Sequence, residues 1–279
     1  MAYFVETYDS VEHMLRLFDR PENAAFKGKH LSSKEDGSAS WNGTETYAEA
    51  VDLIRNGWEE PLKELKEAIK SVGIKTNVST EKVRPRTSVV GYAPHVPNAI
   101  RGVPECMIGT ERVPQKVKAV TIIYSSDANG GLSQQDFFNA GAVILKIIND
   151  LELNGYRVRL LHEFCAAKRD DEKIVGRVTL KDWRQPIDIK KLTFPLANAA
   201  MIRRFGFRFT EVIPGIKGSG WAGGYGGALN SLLDYKQVCE EFRKNKLLND
   251  NEYFINIKLI RECKHDSDKV IEAVGMVLK

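Results

Sequence analysis

One strand–helix–strand pattern in the middle of the chain constrains the fold more than any other feature. The β-branched run from Ala119 to Tyr124 predicts a strand buried on both faces. Ser133 and Asp136 have the spacing of a helix-capping box, and the apolar residues after them recur at helical intervals. Gly155 is expected to end this helix, and Tyr156 to Leu161 predict a second strand. Such a βαβ unit requires two parallel strands joined by a right-handed crossover.

The rest of the C-terminal half continues the alternation of strands and helices. We predict an exposed or edge strand, a helix, a strand, a helix, a strand and a last helix, in that order. The segments are Ile174 to Leu180, Leu192 to Phe205, Phe207 to Ile213, Ala228 to Lys244, Phe254 to Ile260 and the residues from Ser267 to the end. This order predicts an α/β fold, an open and mostly parallel sheet with helices on both faces.

The N-terminal part has a different pattern, which is mainly helical. Ser10, Thr46 and Pro61 stand where helices are expected to begin. The polar and basic segment from Ile74 to Arg86 is the best candidate for a linker. We therefore divide the chain into an N-terminal helical region with a linker, residues 1–86, and an α/β domain, residues 87–279. That domain begins with a proline-rich strap over residues 87–117, which we expect to be extended and packed.

Composition excludes several classes of protein. The chain has 279 residues, of which 43% are hydrophobic and 28% charged, and these values are typical of a globular protein. There is no apolar run of membrane-spanning length, and the N-terminus has acidic residues where a signal peptide would have basic ones. We expect a cytoplasmic protein. The net charge of +4 neither requires nor excludes a nucleic-acid partner.

The turn after the first strand of the βαβ unit is the candidate metal site. Ser125, Ser126 and Asp127 lie at the carboxyl end of a strand, where α/β folds usually bind ligands, and their oxygens suit Mg²⁺. The alternative is a polar turn that caps the following helix. We expect this metal site to be empty and the protein to have no cofactor.

Two segments are candidate partner-binding surfaces. The glycine-rich run between Gly215 and Gly227 contains Trp221 and Tyr225, two aromatic side chains that favour contact with a partner over a plain linker. The segment around Arg203, Arg204 and Arg208 interleaves cations with phenylalanines. On a strand, the phenylalanines would face inward and Arg204 and Arg208 outward, where they could bind an anion, a nucleic acid or a protein.

Other catalytic patterns carry little weight. His162-x-x-Cys165 and Cys263-x-His265 could each supply two zinc ligands, but the pairs lie far apart in sequence and neither has a known spacing. The chain has no G-x-S-x-G nucleophile elbow and no P-loop motif. We interpret the four cysteines as buried, reduced residues rather than a disulfide framework.

The segment from Ala119 to Phe164 resembles the opening of a von Willebrand factor A-type domain. The resemblance lies in the buried first strand, the helix with an internal Gly141 and the second strand that begins Gly155–Tyr156. That family binds a divalent metal through an Asp-x-Ser-x-Ser turn after the first strand. Here the position of the leading Asp holds Tyr124 or Ser125, so the resemblance implies a degenerate metal turn.

The whole chain also resembles a family of uncharacterised proteins of bacteriophages and mobile elements. Three stretches carry this resemblance: Trp41 to Trp58, His95 to Met107, and Pro195 to Phe205. It implies a phage setting, in the host cytoplasm or the virion, and no mechanism.

The sequence leaves three functions open. The leading hypothesis is a non-enzymatic, phage-encoded binding or assembly protein that acts through contacts with a protein partner or by self-association. It would be a virion component or a factor against a host system. The alternatives are a nucleic-acid-binding accessory factor that uses Arg203, Arg204 and Arg208, and a metal-dependent enzyme.

Overall fold

The computed structural model is a mixed α/β structure with two sheets. It describes residues 2–23, 26, 33–35, 37–70, 81–114, 118–127, 130–168, 172–214, 225–229 and 233–276. The strands are β1 Ala2–Tyr8, β2 Glu81–Ser88, β3 Ala93–Pro94, β4 Met107–Pro114, β5 Lys118–Ser125, β6 Tyr156–Lys168, β7 Glu172–Lys181, β8 Gly227–Ala228 and β9 Glu252–Asn256. The α-helices are α1 Val11–Leu17, α2 Ala39–Asn42, α3 Tyr47–Asn56, α4 Leu62–Lys70, α5 Val96–Ile100, α6 Gln134–Leu153, α7 Ile189–Ala197, α8 Phe207–Val212, α9 Tyr235–Lys244, α10 Ile257–Glu262 and α11 Ser267–Ala273.

The predicted βαβ unit is present at the centre of the main sheet. Strand β5 pairs in parallel with β6 and with β9. The side chain of Ser133 accepts the backbone N–H of Asp136, and the Asp136 carboxylate accepts the N–H of Ser133, which completes the predicted capping box at the start of α6. Gly155 has a φ of 85° between α6 and β6, a conformation that favours glycine.

The main sheet is mixed, so the prediction of an open, mostly parallel sheet holds only in part. Its strand order is β1-β7-β6-β5-β9, with β8 paired to the end of β6. Strand β7 is antiparallel to β6 and parallel to β1. The predicted edge strand, Ile174 to Leu180, is therefore internal, since it has neighbours on both sides. Val175 and Ile174 are both fully buried.

Helices cover both faces of this sheet. Successive side chains of a strand point to opposite faces, and on β5 Ile122 belongs to the cluster formed with α6, whereas Ile123 belongs to the cluster formed with α9. A third cluster packs α1, α3 and α8 against β1 and β7. No helix in the described residues is long and apolar enough to cross a membrane.

The predicted strand from Phe207 to Ile213 is a helix, and this is the largest error of the sequence analysis. A π-helix, Met201–Gly206, runs directly into α8. Phe205 and Phe209 are both buried, but they share a helical face rather than a strand face. A spacing of four residues fits both a strand, with its period of two, and a helical turn. The short pattern was therefore ambiguous.

Three further boundaries differ from prediction. In the segment 228–244, Ala228 belongs to β8 and helix α9 begins at Tyr235, whereas residues 230–232 lie outside the described residues. The segment 254–260 changes from β9 to α10 at Asn256, whose side chain accepts the N–H of Leu259 and caps the helix. The last helix begins at Ser267, with Asp266 as its cap, but it ends at Ala273, before the predicted end.

The N-terminal region contributes to the same cores as the rest of the chain. Strand β1 joins the main sheet beside β7. The predicted helices after Ser10 and Thr46 are present, and each cap residue accepts a backbone N–H from the first turn. Leu65 of α4 is buried in the cluster around α6.

Residues 81–114 form a second, three-stranded antiparallel sheet, which we call the arm. Its strand order is β2-β4-β3, and α5 lies between β3 and β4. Residues 81–86 of the predicted linker are thus part of a strand. The predicted proline-rich strap is neither a single extended segment nor packed in the interior, because no described arm residue with a known exposure is buried.

Candidate functional site

The three arginines of the candidate partner surface are buried, which corrects the predicted outward orientation of Arg204 and Arg208. Arg203, Arg204 and Arg208 are only 4%, 1% and 3% exposed. They lie on the π-helix and α8, where the side chains at positions 204 and 208 follow each other by one helical turn. Their guanidinium groups point at the N-terminal region rather than at solvent.

Arg204 and Arg208 form hydrogen bonds with backbone carbonyl oxygens of the N-terminal region. Arg204 donates to the carbonyl oxygens of Ser33 at 2.9 Å and Thr44 at 3.1 Å. Arg208 donates to the carbonyl oxygen of Phe18 at 2.8 Å and to the carboxylate of Glu211 at 3.0 Å. Because each guanidinium carries five N–H donors in a fixed plane, it can satisfy several carbonyls of one passing segment. The pair ties the N-terminal segment to α8.

Arg203 has aromatic as well as polar contacts. Its guanidinium lies 4.6 Å from the ring centroid of Trp41 and 5.3 Å from that of Phe137. It also donates to the carbonyl oxygen of Leu132 at 2.7 Å. A role of the three arginines in binding nucleic acid or protein stays a prediction, and it would require the covering N-terminal residues to move away.

Tyr225 is the aromatic residue of the glycine-rich run that the structure describes. Trp221 lies outside the described residues. Tyr225 is half-buried, and its ring is parallel to that of Phe207 at a centroid distance of 4.0 Å. Its hydroxyl donates to the Glu211 carboxylate at 2.7 Å. This burial raises the pKa of Tyr225. The ring of Tyr225 therefore packs within the chain, and its role toward a partner stays a prediction.

The candidate metal turn after β5 is buried. Ser125, Ser126 and Asp127 are all at most 2% exposed. The carboxyl group of Asp127 accepts the backbone N–H of Cys165 on β6, at a point where β5 has ended and its backbone no longer pairs with β6. Burial, together with the nearby carboxyl group of Glu163, raises the pKa of Asp127 well above its ordinary value.

This environment favours a neutral carboxyl group at Asp127, which is a poor ligand for Mg²⁺. Within the described residues no group of three or more His, Cys, Asp or Glu side chains is arranged to hold a metal ion. That the turn binds no Mg²⁺ tightly stays a prediction.

A hydroxyl–imidazole pair lies beside this turn. Ser126 Oγ is 2.9 Å from His162 Nε2, and the His162 ring meets the ring of Tyr124 edge-on. Burial lowers the pKa of His162 to about 3, so the imidazole is neutral at physiological pH. Because His162 is fully buried and Ser126 is 2% exposed, the pair has no access for a substrate in this conformation, and we assign it no catalytic role.

A buried ion pair lies on the opposite face of β6. Arg177 Nε donates to Glu163 Oε2 at 2.7 Å, and the two residues are direct neighbours in the β6–β7 register. Burial raises the pKa of Glu163, although the arginine opposes this shift. The sequence analysis missed the pair. Charged residues among the apolar residues of β6 and β7 were the signal in the sequence, but the register of the two strands could not be known before the fold.

The arm carries most of the large hydrophobic side chains that are exposed among the described residues, and sequence analysis missed this too. Nine large hydrophobic side chains are exposed among the described residues, and all but Val5 and Trp41 lie in the arm. Six of these seven form what we call the arm tip: Val89, Val90, Tyr92, Val96, Ile100 and Val103. The signal for this exposed surface in the sequence was a set of apolar residues without the spacing of a buried strand or helix.

Comparisons with known proteins give a family but no activity. Residues 2–279 match the model of a domain of unknown function, DUF7192. No curated protein matches the chain.

Proposed function

The chain belongs to the DUF7192 family, and we propose that it is a non-enzymatic binding or assembly protein that acts through protein–protein contacts. The observation that carries this proposal is the apolar arm tip. Val90, Ile100 and Tyr92 are 82%, 80% and 72% exposed. Large exposed apolar patches on a folded protein mark interaction sites. Burying one such side chain in an interface is worth roughly 1.5–3 kcal/mol.

The arm is held in shape by its own hydrogen bonds, which supports a binding role. Tyr92 donates its backbone N–H to Ile108 at 2.9 Å, and His95 donates its own to Cys106 at 2.6 Å. A Cβ at Gly91 would collide with the carbonyl group of Ile108, so glycine is needed for this close approach. A surface that is ordered before binding avoids much of the entropy cost of association.

The arm favours contact through side chains over addition of a strand. Strand β2 is at the edge of the arm sheet, and it contains Pro85, which has no N–H to donate to an incoming strand. Arg86 and Glu111 form an exposed ion pair at 3.6 Å across β2 and β4. Such features protect an edge from pairing with another sheet.

Charge indicates what kind of partner fits. Between residues 83 and 112, the arm has Arg84, Arg86, Arg101 and Arg112 against Glu105 and Glu111. In a symmetric contact, a second copy would place its own basic arm against this one, and the like charges would oppose association. We therefore propose a different protein, with an apolar groove bordered by acidic side chains. Electrostatic complementarity would then speed association and select the partner.

The biological setting is a further part of the proposal. The three stretches that resemble bacteriophage and mobile-element proteins support a phage-encoded protein, either a virion component or a factor against a host system. It would act in the host cytoplasm or in the virion. The β5–α6–β6 unit supports a relationship to von Willebrand factor A-type domains, with a degenerate metal turn.

A photo-crosslinking experiment tests the proposed contact. The photoreactive amino acid p-benzoylphenylalanine is placed at Tyr92, in the arm tip, or at the exposed Asp250 as a matched control. The protein is irradiated in the cells in which it naturally occurs. We expect one protein other than a second copy to be crosslinked from position 92 and not from position 250. Crosslinking only to a second copy, or equally from both positions, would contradict the proposal.

A further inference from the structure

A cavity of about 250 Å³ lies where β5 ends and β6 continues. Its walls come from β6, β8, α6, the π-helix and α8, with Asp127 from the turn after β5. An engineered protein cavity of roughly 150 Å³ holds one benzene molecule. The larger volume here therefore matches a molecule with two fused rings.

The cavity has aromatic walls. Phe207 and Tyr225 both line it, and their rings stack in parallel. Phe164 and Phe209 also line it, and their rings stack at a centroid distance of 6.0 Å. Flat aromatic surfaces attract a planar ligand by burial of apolar area and by stacking.

The polar groups of the lining are few. The Arg203 guanidinium is engaged with Trp41 and with the carbonyl oxygen of Leu132, as described above. Thr210 Oγ1 donates to the carbonyl oxygen of Gly206 at 3.1 Å. Asp127 supplies the one carboxyl group among the described lining residues. Its Oδ2 accepts the N–H of Cys165, and a carboxyl oxygen has the capacity to accept a second donor.

We propose that this cavity binds a neutral, planar, fused two-ring heteroaromatic molecule with a ring N–H. Its rings would lie against the aromatic walls, and its N–H would donate to the Asp127 carboxyl group. A neutral ligand is favoured because an anion would lie beside the Asp127 carboxyl group and a cation beside the Arg203 guanidinium, and either would lose its hydration in the cavity. This site is separate from the arm, so the inference does not rest on the proposed protein contact.

The test uses two probes of equal shape and the full chain. Indole has the required ring N–H, whereas indene is a hydrocarbon of the same size without it. Binding is followed by saturation-transfer NMR titration. We expect saturable indole binding with a Kd below about 1 mM, and binding of indene that is roughly three- to tenfold weaker, as the loss of one hydrogen bond predicts.

Variants locate the site. Ala228→Leu fills the cavity from β8 and should weaken indole binding about tenfold or more, whereas the matched change Ala99→Leu, on the exposed surface of α5, should leave it unchanged. Ala166→Leu, on β6, provides the same test if the first variant does not fold. Asp127→Ala should bring the affinity for indole down to that for indene.

Three outcomes would overturn the inference. The first is the absence of saturable indole binding to the folded wild-type chain. The second is equal affinity for indole and indene. The third is unchanged indole binding in a folded variant whose cavity has been filled.

Discussion

Replacement of Arg204 by methionine separates a structural role from a partner-binding role. Methionine keeps the apolar stem but removes the guanidinium, which donates to four backbone carbonyl oxygens, those of Ser33, Glu35, Thr44 and Glu45. Ser33 and Thr44 are buried, so their carbonyl oxygens would lose a donor without gaining access to water. Glu35 and Glu45 are exposed, and water can replace the donor there.

The magnitude follows from the two buried bonds. A hydrogen bond to a charged group contributes roughly 1.5–3 kcal/mol to stability, so Arg204→Met should lower the free energy of unfolding by about 3–6 kcal/mol. This is a large part of the 5–15 kcal/mol that typically stabilises a domain. The measurement is urea denaturation followed by circular dichroism.

Arg101→Met is the matched control, because Arg101 is an exposed arginine of the arm. Its effect should stay within about 0.5 kcal/mol. A loss below about 1 kcal/mol in Arg204→Met would refute the structural role. That result would support the surface position that the sequence pattern predicted for Arg204.

Three other predictions concern the core, the turn after β5 and pH. Ile147 of α6 is fully buried, so Ile147→Ala should lower the free energy of unfolding by about 2–5 kcal/mol, measured by chemical denaturation. A loss below about 1 kcal/mol would place α6 at the surface. Isothermal titration with Mg²⁺ should show no micromolar site at Asp127, and a micromolar site that disappears in Asp127→Ala would contradict this. His162 has its pKa lowered to about 3 in the folded chain, against about 6.5 when unfolded, so the unfolded state binds one more proton between these values. The free energy of unfolding should therefore fall with decreasing pH in this window, and His162 should contribute up to about 1.4 kcal/mol per pH unit. His162→Gln should remove this contribution when the free energy of unfolding of the variant and of the wild type is compared across pH.

The sequence predicted the centre of the fold well, because local signals there are strong and consistent. The βαβ unit combines a β-branched strand, a capping box, a long apolar helix face and a glycine with positive φ, and each of these points to the same structure. The helices capped by Ser10 and Thr46 were predictable for the same reason.

The errors occurred where the local pattern has two physical solutions. The run from Arg203 to Phe209 fits a strand by its period of two and a helix by its spacing of four. Arg204 looked like a surface residue because a buried guanidinium is stable only where many acceptors converge on it. The acceptors of Arg204 come from residues more than 150 positions away.

The exposed arm tip and the aromatic cavity could not be found from sequence either. Val89, Val90 and Ile100 lack the spacing of a buried strand or helix, but a missing pattern does not tell which side chains face solvent, and only the folded arm shows this. The cavity is formed by residues from six or more separate segments, which come together only in the complete fold.

The affinity of the crosslinked partner for the wild-type chain and for the double variant Val90→Ser/Ile100→Ser tests the proposed function most directly. Both side chains are at least 80% exposed, so the variant should unfold at the same temperature as the wild type. If the arm tip is the contact surface, replacing two of its apolar side chains, each worth roughly 1.5 kcal/mol, should together weaken binding about 100-fold. Unchanged affinity in the folded variant would contradict the account.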